Sequence, residues 1–327
     1  MEGKIIVEEH FAIPETLGDS RGMWTEETWT ELRARILDMH DRRLYEMDQH
    51  GVEIMVLSLN APAVQALPVI AEANEIARRA NDYLAEQVRK RPDRFQGLAA
   101  LPMQDPELAS SELTRCVNEL GFKGALVNGF SQVRDPEVVS YYDTPDYWPF
   151  WETVERLGVP FYLHPRNPLK RDAGIYEGHA WLYGPRWAFG QEAAVHALRL
   201  IGSGLFDRFP ALTIVLGHLG EGLPYAIWRV DNVNGWVENR QNYPARKQIA
   251  DYLYSNFYLA TSGFFRTQTL LAAMSEMGAD RILFAVDWPF EDISVGAAWF
   301  DNASISETDR IKIGRTNAAR LFGLALA

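Results

Sequence analysis

Val159-Pro160-Phe161-Tyr162-Leu163-His164-Pro165-Arg166 is a short apolar run that stops at a histidine and an arginine. A near-continuous run of this length suits a parallel strand buried on both faces. The same design recurs. Lys4–Val7 ends in Glu8-Glu9-His10, Ile54–Leu59 in Asn60, and Lys123–Val127 in Asn128-Gly129, with Phe95–Leu101 between the last two. Leu212–Leu216 ends in Gly217-His218, Phe257–Ala260 in Thr261-Ser262-Gly263, and Arg281–Val286 in Asp287-Trp288-Pro289. Together these runs predict eight strands, of which the quoted stretch is the fifth.

Helical patterns lie between them. Thr28 and Glu31 read as a capping box, and Leu32, Ile36, Leu44 and Met47 form an apolar stripe that Gly51 terminates. Asp105-Pro106 reads as an N-cap with proline at the first helical position, continued by Ser110 to Leu120. Further helices are expected from Pro145 to Leu157, stopped by Gly158, and from Glu192 to Leu205. Repeated strand–helix alternation predicts an α/β fold of the (β/α)8 TIM-barrel type, one barrel domain over residues 1–327. A doubly wound sheet is the alternative. It would usually place a glycine-rich phosphate turn after its first strand, and Glu8-Glu9-His10-Phe11 is not one. Two connections, Phe11 to Thr28 and Asn167 to Gln191, are long enough to be lids or binding loops.

The balance of 32 basic against 44 acidic residues gives a net charge of −12, which argues against nucleic-acid or anionic-membrane partners. A small anionic substrate, which feels local charge, is not excluded. Cys116 is the only cysteine, so no intrachain disulfide forms. With no signal-peptide pattern at Met1–His10 and no apolar run of membrane-spanning length, a cytoplasmic location is expected.

Polar residues collect at the strand ends. Glu8 and His10, two apart, point to one side of an extended chain. His164 ends the fifth strand, His218 the sixth and Asp287 the eighth. A barrel gathers these ends in one ring, and neutral imidazoles with carboxylates form a site for a divalent metal such as Zn²⁺ or Mn²⁺. Each residue alone has a structural reading, as a strand-end histidine or a capping acid; their joint placement makes the metal case. His40 and His50 are expected to face solvent, His196 and Cys116 to be packing residues, and His179 has no assigned role.

The motifs Glu8-Glu9-His10-Phe11, Gly124-Ala125-Leu126-Val127-Asn128, Pro160 through Pro165 and Leu216-Gly217-His218-Leu219-Gly220-Glu221 resemble the decarboxylating branch of the amidohydrolase superfamily. So do Thr261-Ser262-Gly263, Asp280 through Phe284, Asp287-Trp288-Pro289-Phe290 and the C-terminal Ile313-Gly314-Arg315-Thr316-Asn317. The resemblance implies a metal-dependent aromatic-acid decarboxylase, a carboxy-lyase with one divalent ion per chain held by Glu8, His10, His164 and Asp287. Asn128 at the end of the fourth strand agrees with one ion, because the bridging carboxylated lysine of two-metal relatives is missing.

Asn60 through Gln65, Asn128 through Gln132 and His164 through Pro168 point within this branch to a ring hydroxylated at both ortho positions, 2,6-dihydroxybenzoate, with carboxylation as the reverse reaction. The alternatives are 2,3-dihydroxybenzoate and 5-carboxyvanillate. Asp287 is implied as proton donor as well as ligand, supported by His218 and Glu221. Asn128, Arg229 and Phe290 are implied substrate contacts, although Arg229 equally suits a structural ion pair. Met23 and Phe264 depart from residues frequent in these relatives and bear on the ring pocket. The branch also implies a homo-oligomer, a dimer or tetramer, with the long loop after the fifth strand available for subunit packing. Two other classes fit the ligand set: a metal-dependent hydrolase of an amide or lactone, and a non-catalytic aromatic-acid binding protein.

Overall fold

Residues 1–22, 24–236 and 243–326 are described by a computed structural model of the chain. Its strands are β1 (Lys4–Phe11), β2 (Val52–Leu59), β3 (Phe95–Gly97), β4 (Ala125–Asn128), a hairpin of β5 (Ser131–Val133) and β6 (Asp135–Ser140), then β7 (Phe161–His164), β8 (Ile214–Leu216), β9 (Phe257–Ala260) and β10 (Ile282–Leu283). Apart from the hairpin, all pair in parallel, in the orders β1-β2-β3 and β4-β7-β8-β9-β10. Two seams join these arcs into a ring. Ala99 bridges Ala125 beyond β3, and Val7 N–H donates to the Phe284 carbonyl at 3.3 Å. The eight-stranded barrel expected from the sequence is therefore present, and the doubly wound alternative is ruled out.

The sequence places residues on the two faces of this ring by simple alternation. Ile5, Val7, Ile54, Val56, Leu98, Leu126, Tyr162, Val215, Tyr258, Ala260, Leu283 and Ala285 share one buried cluster, the barrel interior. The intervening Ile6, Met55, Leu57, Val127, Leu163, Leu216 and Leu259 belong to the larger cluster beneath the helices. Helix α13 (Asn317–Leu321) and Phe322 close the interior from the N-terminal end of the strands, packing Ala318, Ala319 and Phe322 into it. Nearby, the buried Lys4 ammonium pairs with Asp301 at 2.9 Å and donates to the His50 carbonyl.

Several helix limits differ from expectation. The stripe Leu32–Met47 spans two helices, α1 (Glu26–Leu37) and α2 (Arg42–Gln49), because Asp38 interrupts it. The Asp38 carboxylate accepts the Arg43 N–H at 2.9 Å and its carbonyl accepts from the Arg43 side chain, which fixes the bend. The first cap is Thr25, whose hydroxyl accepts the Thr28 N–H, rather than Thr28 with Glu31. Asp105 caps α4 (Pro106–Asn118) as expected, accepting from Glu107 and Leu108. Helix α5 (Trp148–Leu157) ends at Gly158, whose φ of 65° suits glycine. Helix α6 (Ala188–Gly202) begins and ends earlier than read.

His40 is half-buried and bonded to Gln87, not solvent-facing, and His50 is also half-buried. His196 packs against Tyr141 and Tyr142, and Cys116 is buried. No helix among the described residues is long and apolar enough to cross a membrane.

Because Phe322 fills the end of the barrel remote from the polar strand ends, Phe322→Ala should cost stability and little else. We expect a loss of about 3 kcal/mol, the scale of deleting a buried phenylalanine. A urea midpoint unchanged from wild type would contradict this plug.

Candidate metal centre

The inward positions of the barrel continue past its apolar interior into a polar layer. Two residues beyond Val56, Leu126, Tyr162, Ala260 and Ala285 stand Ser58, Asn128, His164, Ser262 and Asp287. β1 contributes differently. Its register against β2 shifts between Ile6 and Glu9, and Glu8 takes a left-handed φ of 68°. This irregularity, rather than plain alternation, puts both Glu8 and His10 at the centre.

Glu8, His10, His164 and Asp287 each bring a potential ligand atom within 4.8 Å of the others. His10 Nε2 lies 3.2 Å from Asp287 Oδ1, and His164 Nε2 lies 3.5 Å from Glu8 Oε1. Yet Glu8 Oε1, His10 Nε2 and Asp287 Oδ1 are buried without a hydrogen-bond partner. Buried polar atoms are normally satisfied. Three converging orphans among two carboxylates and two imidazoles are the donor set a divalent cation completes.

Surrounding groups orient these side chains. Tyr162 and Ser262 both donate to Glu8 Oε2, leaving Oε1 to face the centre. Ser58 Oγ sits 3.2 Å from His10 Nδ1, so Nε2 is the free nitrogen. Gly217 makes room for Glu8: a Cβ there would lie 2.5 Å from Glu8 Oε2. His218 Nδ1 bonds Glu221 Oε1 at 2.7 Å, and its Nε2 faces Asp287 Oδ2 at 3.7 Å and Glu8 Oε1 at 3.9 Å. Glu8, His218, Leu219, Glu221 and Asp287 all have positive φ without being glycine. Each such residue costs about 1–3 kcal/mol and persists where surrounding contacts demand it.

Protonation follows burial and charge. Burial raises the Glu8 carboxyl to about 7, despite the opposing pull of His218. Burial depresses the His164 ring well below its usual range, which keeps it a neutral donor. For Asp287, burial pushes upward, but the facing His10 and His218 rings outweigh it and hold the carboxyl low. Burial opposes charge on His218, while Glu221 and Glu8 raise it well above the usual histidine range.

The remaining sequence candidates divide. Asn128 joins the inner layer beside His164, with its Nδ2 donating to the Asn60 carbonyl and its Oδ1 buried and unpartnered. The Phe290 ring lies 5.8 Å from that of His10, and Phe264 lies 6.2 Å from His218. Arg229 is exposed on helix α8 (Leu223–Asn234), and no polar contact of the centre involves it among the described residues. Met23 lies outside the described residues. His179 is exposed near Trp181. Sequence reasoning missed Ser58, Tyr162 and Ser262, although each follows by steps of two from residues already read as strand.

The family model described as amidohydrolase matches residues 17–324. A gamma-resorcylate decarboxylase of Polaromonas sp. (strain JS666 / ATCC BAA-500) is 66% identical over 324 residues, 99% of each chain. A solved dihydroxybenzoic acid decarboxylase from Polaromonas sp. JS666, with bound manganese and the inhibitor 2-nitroresorcinol, superposes with a TM-score of 0.97. It is 65% identical, covering 100% of this chain and 98% of its own. A 2,6-dihydroxybenzoate decarboxylase complexed with 2,6-dihydroxybenzoate gives a TM-score of 0.97 at 62% identity, covering 99% of this chain and 100% of its own.

The packing at Gly217 yields a test. Gly217→Ala should weaken divalent-metal binding on the order of tenfold or more by displacing Glu8, while His10→Ala should remove most bound metal. Metal content after dialysis, with folding checked by circular dichroism, reads both. Full occupancy in the two variants would remove these residues from a metal site.

Proposed function

The chain belongs to the amidohydrolase family, and from that membership we infer that it is a decarboxylase of 2,6-dihydroxybenzoate (γ-resorcylate), releasing carbon dioxide and resorcinol. The observation that carries this reading is end-to-end identity above 60% with decarboxylases of that substrate, on a chain whose own barrel presents the Glu-His-His-Asp centre. Glu8, His10, His164 and Asp287 are proposed to hold one divalent ion, manganese as in the solved relative or zinc. When bound, the ion would supply a positive charge that holds the anionic substrate and stabilises negative charge on its oxygens.

The chain's own groups then handle the proton. Direct loss of carbon dioxide would leave an aryl anion in the ring plane, outside the π system. Protonating the carboxylated carbon first avoids that species. Asp287 is the proposed donor; because its carboxyl is held low, the proton it passes to the ring comes from protonated His218, whose Nε2 lies 3.7 Å from Asp287 Oδ2. Glu221 holds the His218 ring in that orientation through Nδ1. As the carbon–carbon bond breaks, its electron pair returns to the ring, restoring aromaticity, and carbon dioxide departs. Asn128 Oδ1 is proposed to accept from a ring hydroxyl, and Phe290 to wall the ring. The reaction is expected within one barrel domain in the cytoplasm, a location supported by the single buried cysteine.

We further propose a homo-oligomer, a dimer or tetramer. Tyr225 (95% exposed), Trp228 (70%) and Trp236 (72%) on or just after α8, with Trp181 (61%) and Trp187 (54%) on the loop after β7, present large rings to solvent. Such rings commonly anchor subunit interfaces. Light scattering at micromolar concentration should give a multiple of the 37.1 kDa chain mass. A monomer would refute the assembly.

Chemistry has its own test. Turnover of 2,6-dihydroxybenzoate in heavy water should place one deuterium at the carbon that carried the carboxylate. His218→Ala should keep its metal and lose on the order of a hundredfold in rate. Product unlabelled at that carbon, with exchange at other ring positions controlled, would refute ring protonation.

A further inference from the structure

The seam between β1 and the end of β10 holds a carboxylate that the mechanism above leaves unused. Glu9 is fully buried, yet its side chain does not face the metal centre. Oε1 accepts the Val286 N–H at 2.9 Å and Oε2 accepts the Trp288 N–H at 2.7 Å. These two donors bracket Asp287, whose φ is 77°. Backbone N–H groups on either side of a left-handed residue can converge on one anion, and here that anion is built into the chain. One backbone bond continues the seam, from His10 N–H to the Trp288 carbonyl at 2.7 Å. The Arg43 guanidinium adds to it, lying 4.0 Å over the Trp288 ring and donating to the His10 carbonyl at 2.9 Å.

We propose that Glu9 is a positioning residue for Asp287: its carboxylate holds the left-handed backbone that aims the Asp287 side chain at the centre. The role rests on the reading of Asp287 as metal ligand and proton donor. Without the bidentate acceptor, two buried N–H groups lose their partner and an aspartate relaxes toward negative φ, swinging its carboxylate away. Glutamate suits the position because both oxygens accept. An amide of the same size offers one acceptor and turns an N–H against the second donor.

Two quantities test this in the full-length enzyme. In Glu9→Gln, Mn²⁺ affinity of the metal-stripped protein, read from free Mn²⁺ by electron paramagnetic resonance, should weaken on the order of tenfold or more. With Mn²⁺ saturating, kcat for 2,6-dihydroxybenzoate should fall on a similar scale while KM moves far less. Wild-type Mn²⁺ affinity and kcat in the folded variant would overturn the proposal, even with a lowered melting temperature, since Glu9 would then be structural only. Glu9→Asp keeps both carboxyl oxygens but retracts them by one methylene. It should show the same two losses in smaller measure, and it carries the test, with the same overturning result, if Glu9→Gln does not fold. Wild-type protein that binds Mn²⁺ without turning over 2,6-dihydroxybenzoate would count against the substrate, leaving the affinity measurement to decide Glu9.

Discussion

Putting the carboxylates of Glu8, Glu9 and Asp287 together at one end of an apolar barrel is the constraint from which the rest of the site follows. A carboxylate removed from water is costly unless it is paired or fully hydrogen-bonded. Each of the three has its own solution. Glu8 takes two hydroxyl donors on one oxygen and directs the other inward. Glu9 takes two backbone N–H groups. Asp287 faces two imidazoles. What remains unsatisfied after these pairings is confined to atoms that converge on one point, as a cation site requires.

The barrel makes this arrangement possible and also strains it. Its interior is filled by aliphatic and tyrosyl side chains up to the level of Tyr162 and Ala285, so the polar layer rests on a packed floor. Side chains there cannot move aside, and the backbone bends instead. Left-handed residues therefore cluster at Glu8, at His218 to Glu221 and at Asp287, the strand ends that surround the candidate centre. The absence of a side chain at Gly217 belongs to the same compromise, since only that leaves space for Glu8.

In the proposed reading, proton delivery and metal binding are separated within a few ångströms. Burial keeps His164 neutral and His10 leaves its Nε2 free, whereas His218 is bound to Glu221 and pushed toward its charged form. The partner sets what each ring can offer: a serine hydroxyl beside His10 leaves Nε2 free to face the centre, while a carboxylate beside His218 favours the protonated ring next to Asp287.

The sequence by itself determined the barrel, because eight apolar runs alternating with helices bury both faces of a parallel sheet in few other ways. It also identified Glu8, His10, His164, His218 and Asp287, since polar residues that terminate apolar strands stand out against the pattern. Helix limits near Asp38 escaped it, because a local side-chain bond overrode an otherwise continuous apolar stripe. The roles of Ser58, Tyr162, Ser262 and Glu9 were decided only by tertiary structure. A serine or tyrosine inside a strand looks like any other, and strict alternation from Ile5 and Val7 would have sent Glu9, not Glu8, into the barrel. The bulge in β1 reverses that assignment, and a bulge is fixed by the neighbouring strands it must fit rather than by the residues that form it.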